Sequence, residues 1–145
     1  MATPTATAPA VAHPPTEIEW VGGLQFDASR ADGPKVRIDG DTKTAPSPFD
    51  MLLAAIATCA ATDVVTIMEK QRTPLQGLHI QVEAQRVSGT PRRLAAAILH
   101  FKLRGRGITP EKAARAVELS VTKYCSVRSS LIEDAPVTWT IDITT

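Results

Sequence analysis

The run Met51-Leu-Leu-Ala-Ala-Ile-Ala-Thr-Cys-Ala-Ala61 contains no charged side chain and constrains the fold more than any other stretch of this chain. The preceding Ser47-Pro48-Phe49-Asp50 reads as a helix start, with serine as cap, proline at the first helical position and an acid in the first turn. The spacing predicts a helix from Pro48 to Gln71, stopped by Thr73-Pro74. Ala54, Ala55, Ala57, Ala60 and Ala61 make it narrow and apolar on every face. Only beyond Asp63 does it turn amphipathic, with Val64, Ile67 and Met68 inward and Glu69, Lys70 and Arg72 outward. Such a helix has to be packed on all sides, by sheet or by another subunit. Asp50 and Asp63 bracket its apolar part, which falls short of the roughly 18 uncharged residues of a membrane span, so no membrane partner is expected.

The rest of the chain alternates at the strand period. Glu17 to Val21 and Leu24 to Ala28 flank Gly22-Gly23 as a hairpin, and Lys35 to Asp39 follows as a third strand with Arg37 on its polar face. Leu78 to Arg86 and Leu94 to Arg104 form a second, longer hairpin across Ser88-Gly-Thr-Pro91. Thr109-Pro110-Glu111 opens a second helix ending at Cys125, a short helical turn is expected over Val127 to Ile132, and Pro136 to Ile143 closes the chain as a strand. The order is βββαββαβ, an α+β class.

With 145 residues and 43% apolar content, one domain over residues 16–145 is expected. Sixteen basic and fifteen acidic residues, a net charge of +1, are spread without a basic block, so nucleic acid is not an expected partner. Residues 1–15, rich in Ala, Pro and Thr, read as a disordered tail. They have neither the basic start nor the apolar centre of a secretory signal. A leaderless chain with two cysteines points to a reducing cytoplasm.

Those cysteines are Cys59, inside the first helix, and Cys125, in Lys123-Tyr-Cys-Ser-Val127. Two readings stand. Thiols far apart in sequence and close in space make a reversible dithiol/disulfide couple; alternatively, each is a small buried hydrophobe. His13, His79 and His100 have no ligand spacing with the cysteines, so no metal is expected. Tyr124 and Trp139 read as core or interface aromatics.

Pro46-Ser-Pro-Phe-Asp-Met-Leu-Leu-Ala-Ala-Ile-Ala-Thr-Cys-Ala-Ala-Thr-Asp-Val-Val65 resembles the first signature of the OsmC/Ohr family, and Leu119-Ser-Val-Thr-Lys-Tyr-Cys-Ser-Val127 resembles the second. Both versions are similar to the YhfA-like branch, and the match spans roughly Glu17 to Ile143. The resemblance implies an intertwined homodimer, with antiparallel sheets wrapped around long central helices and the site at the subunit interface. It implies a thiol peroxidase for organic hydroperoxides. Cys59 matches the peroxidatic thiol, which becomes a sulfenic acid, and Cys125 the resolving thiol, which condenses with it to a disulfide. The resemblance also implies no bound cofactor and an external dithiol reductant of lipoyl type that reopens the disulfide.

Burial among alanines pushes the Cys59 thiol up, so something must favour its thiolate. Arg37 matches the arginine that does so in the OsmC branch; its plainer reading is a solvated strand arginine in an ion pair. The family glutamate that holds this arginine is replaced by Phe49, while Asp50 points about 100° further round the helix. Asp63 is expected to make a buried structural hydrogen bond. Lys123 and Arg128, flanking Cys125, are candidates for lowering its pKa or for receiving an anionic substrate. The alternative function is a non-peroxidatic dimer of the same fold, binding a small apolar or thiol-reactive ligand.

Overall fold

Both glycines of Gly22-Gly23 take positive φ, +121° and +54°, the conformation that lets strands β1 (Thr16–Gly22) and β2 (Gln25–Arg30) fold back on each other. β3 (Val36–Asp39) adds antiparallel to β2. The computed structural model describes residues 9–131 and 134–145. Two compact units result, the first ending at Pro48 and the second spanning Phe49–Thr145. Of the expected tail, residues 9–15 are exposed and irregular, and the first eight lie outside the described residues.

In the first unit, strand alternation places Ile18, Trp20, Phe26, Ala28, Val36 and Ile38 on one face of the sheet, paired through Ile18↔Ala28, Trp20↔Phe26, Phe26↔Ile38 and Ala28↔Val36. Ile18 and Trp20 remain 61% and 66% exposed. At the end of β3, Asp39 is buried and accepts hydrogen bonds from the N–H groups of Asp41, Lys43 and Thr44 and from the Thr44 hydroxyl. The Asp41 N–H, then that of Thr44, hold this carboxyl below its ordinary value of 3.8 against burial, which pushes it up. Its stabilising contribution is therefore complete above the ordinary carboxylate range and is lost as pH falls through the lowered folded value. Asp39→Asn is expected to flatten the acid limb of a stability-versus-pH curve; a limb as steep as wild type's would contradict this role.

The second unit is built on α1 (Pro48–Lys70). The helix ends because Arg72 adopts a left-handed φ of +62°. The Thr73 N–H then reaches the Met68 carbonyl at 3.0 Å and the Arg72 N–H that of Glu69 at 2.9 Å, a Schellman closure made without glycine. β4 (Gly77–Arg86) and β5 (Leu94–Arg104) form the long antiparallel hairpin, and β6 (Val137–Thr144) joins β5 in parallel. This corrects the expectation of purely antiparallel sheets. The path from β5 to β6 passes through α2 (Pro110–Leu119), the kind of crossover that returns a chain in the same direction. The Thr109 hydroxyl accepts from the Lys112 N–H at 3.2 Å as the α2 cap. Thr109→Ala should cost about 1 kcal/mol in thermal or urea unfolding; no loss would show the cap to be idle.

Ile56, Ala57, Ala60, Val64 and Met68 form the buried stripe of α1, packed in one core with Leu94, Leu99, Phe101 and Leu103 of β5 and Ala113, Ala116 and Val117 of α2. Ala54, Thr58, Thr62 and Val65, on another side of the helix, are exposed. One chain thus covers only part of the helix that the sequence predicts to be packed all round. Among the described residues, α1 is the one helix whose length and mean hydropathy would suit a membrane crossing, and its buried stripe is that of a helix seated on a sheet.

Candidate functional site

A π-helical turn, Ser120–Tyr124, continues α2 and delivers Cys125 to α1. Such turns shift the register of a helix by one residue and recur where a side chain must be re-aimed. Cys125 is 3% exposed, and its sulfur lies 3.8 Å from the Ile56 carbonyl oxygen. Ile56 is three residues before Cys59 and so on the same side of α1, which brings the Cys125 sulfur beside Cys59, close enough for each thiol to shift the other's pKa. The two thiols share one site.

Cys125 also caps the single-turn helix α3 (Ser126–Ser129): its sulfur accepts the Arg128 N–H at 3.3 Å. The expected turn over Val127 to Ile132 thus begins one residue early, while Ile132 lies outside the described residues. Because α3 starts at Ser126, its first groups face the half-buried Cys59, whose sulfur is 3.8 Å from the Ser126 hydroxyl oxygen.

Electrostatics separate the two thiols. Burial pushes Cys59 up, but hydrogen bonds from the Val127 N–H, the Cys125 thiol, the Ser126 hydroxyl and the Ser126 N–H outweigh it and leave the thiol below its ordinary value. Cys125 is pushed up, first by burial and then by donating to Cys59 and feeling its charge, with the Arg128 N–H only partly offsetting this. The arrangement favours one thiolate, on Cys59, with Cys125 kept as its protonated neighbour.

Arg37 sits on the polar face of the first unit's sheet, ion-paired through Nε with Asp27, its cross-strand partner. Its Nη1 donates to Gln25 Oε1 at 3.0 Å and its Nη2 to Asp27 Oδ2 at 3.3 Å. Asp27 is held low chiefly by its hydrogen bond from Arg37. Phe49 carries the Arg86 guanidinium 3.9 Å above its ring. The hydrogen bond expected of Asp63 is not made among the described residues: the neighbouring Thr62 and Thr66 hydroxyls donate to the carbonyls of Thr58 and Thr62 instead. Lys123 lies 5.3 Å from the centre of the half-exposed Tyr124 ring, and Arg128 meets Cys125 through its backbone.

The groups the sequence reading missed are Ser126 and the Val127 N–H. Their signal was the Cys-Ser-Val-Arg-Ser string read as a helix start, obscured because cysteine is an uncommon cap.

A two-layer α+β unit holding a polarised thiol pair between a long helix and a capped turn defines a thiol-bearing class of small proteins. Residues 39–140 match the model of the OsmC-like protein family, and the chain belongs to that family. It is 35% identical over 127 residues to protein YhfA of Escherichia coli K12, covering 87% of this chain and 95% of that protein. The fold is shared with an OsmC-like protein from Mycoplasma pneumoniae, with a TM-score of 0.78 at 12% identity, over 92% of this chain and 99% of that one. It is also shared with the organic hydroperoxide resistance protein OhrB of Bacillus subtilis, with a TM-score of 0.57 at 14% identity, over 90% and 98% of the two chains.

Proposed function

We propose that this protein is a cysteine-based peroxidase that reduces organic hydroperoxides. The observation that carries this reading is one site in which Cys59, 3.8 Å from the Ser126 hydroxyl, and Cys125, 3.8 Å from the Ile56 carbonyl, come together, in surroundings that push the first thiol's pKa down and the second's up. The Cys59 thiolate attacks the outer peroxide oxygen, the O–O bond breaks, and the alkoxide leaves as an alcohol after taking a proton; Cys59 becomes a sulfenic acid. Cys125 then displaces that hydroxyl as water and forms a Cys59–Cys125 disulfide. An external dithiol, lipoyl in type, restores both thiols and is itself oxidised to a cyclic disulfide. Arg37 is the proposed cationic partner of Cys59. The shared fold with OhrB of Bacillus subtilis, an organic hydroperoxide resistance protein, supports the substrate class.

The active form is a homodimer working in the cytoplasm. Two apolar surfaces support the dimer: the Ile18 and Trp20 face of the first sheet and the Ala54, Thr58 and Val65 side of α1. Light scattering should return twice the chain mass of 15.5 kDa; a monomer at micromolar concentration would refute it. Reduced protein supplied with cumene hydroperoxide and dihydrolipoamide should consume peroxide catalytically, and Arg37→Ala should slow it. No turnover, with both thiols still free, would pass the site to the small-ligand reading.

A further inference from the structure

We infer that Ser126 is the positioning residue for the Cys59 sulfur, its hydroxyl aiming and holding that sulfur for attack. The inference rests on the peroxidase reading for its purpose, but its geometry is independent of it. Ser126 Oγ lies 3.8 Å from Cys59 Sγ, within the reach of a hydrogen bond to sulfur. The second anchor is the Ser130 hydroxyl, which donates to the Ser126 carbonyl at 2.8 Å, while the Ser130 N–H approaches the same carbonyl at 3.1 Å. Ser126 is therefore fixed from its own carbonyl end, and its hydroxyl is left to serve the sulfur.

The consequence is directional. A thiolate has several lone pairs and no preferred orientation of its own. Held by the Ser126 hydroxyl, the Cys59 sulfur has its remaining lone pairs directed away from that oxygen. That leaves an approach line for a peroxide oxygen with the resolving thiol already adjacent, so the sulfenic acid is made where Cys125 can reach it. The same hydroxyl can donate to the sulfenate oxygen after the first step. The titratable and charged residues on the two segments that carry the contact are Cys125, Lys123 and Arg128 beside Ser126 and Asp63 one turn along α1; the Ser126 hydroxyl is the uncharged side-chain group that meets the sulfur.

The test follows alkylation of Cys59 by iodoacetamide across pH in reduced full-length protein, reading the Cys59 peptide by mass. Ser126→Ala should move the pH profile upward and slow alkylation at neutral pH roughly fivefold, the effect of losing one hydrogen bond. Ser126→Thr, which keeps the hydroxyl, should restore the wild-type profile. In the peroxide assay, Ser126→Ala should lower kcat with little change in KM. An unmoved profile in a folded Ser126→Ala protein, or a shift that Ser126→Thr does not rescue, would overturn the inference. A shifted and rescued profile in a protein that consumes no peroxide would leave Ser126 as the holder of Cys59 and remove the peroxidase reading alone.

Discussion

Cys125→Ser is expected to stop turnover after a single event, leaving Cys59 carrying one added oxygen atom that dimedone captures, whereas Cys59→Ser should consume peroxide no faster than buffer. The difference follows from the two environments. Cys59 is half-buried and receives hydrogen bonds from Ser126, Val127 and Cys125, which favour its anion. Cys125 is buried, and burial together with the neighbouring Cys59 favours its protonated form. Attack on the peroxide needs the anion that the first environment favours, whereas Cys125 waits protonated and gives up its proton only as the sulfenic hydroxyl leaves as water. Equal residual activity in the two variants would show that the thiols are interchangeable and would contradict the assignment. The pH dependence has a definite sign: because the Cys59 value is lowered, its reaction should rise with pH and level off earlier than that of an ordinary thiol.

Phe101→Ala should be the most damaging substitution in the core. Phe101 is 1% exposed and lies on β5, the central strand of its sheet, opposite Ile80 of β4 on one side and Ile141 of β6 on the other. Truncation leaves a cavity that the two flanking strands cannot close without breaking the ladder, so a loss of about 3–5 kcal/mol is expected. That is a large part of the 5–15 kcal/mol that typically holds a domain of this size. Urea unfolding at fixed protein concentration checks it, the midpoint falling while the slope stays unchanged. A loss below about 1 kcal/mol would mean that the site collapses freely, contrary to the packing described.

What the sequence disclosed and what it hid divide along physical lines. Strict alternation located β4 and β5 within a residue, because a half-buried strand must alternate, and the proline-acid starts located both long helices. The direction of β6 was hidden, because alternation reads the same in a parallel and an antiparallel strand; only the crossover through α2 fixes it. The all-round apolar α1 was legible, yet one chain buries just the Ile56, Ala57, Ala60, Val64 and Met68 stripe, so the remaining apolar surface is information about assembly. At the site, the thiols were found by type and spacing. The groups that lower the Cys59 value were not, because backbone N–H groups carry no residue identity and Ser126 is legible only once Cys125 is seen to cap a helix. Arg37 was legible as a strand cation, and its Asp27 and Gln25 partners followed from register rather than from spacing.

The most direct measurement is the mass of the reduced protein after one equivalent of cumene hydroperoxide, with no reductant present. The predicted result is the loss of two hydrogen atoms and a single cross-linked peptide joining Cys59 to Cys125. An unchanged mass, with both cysteines still open to alkylation after unfolding, would contradict the central claim.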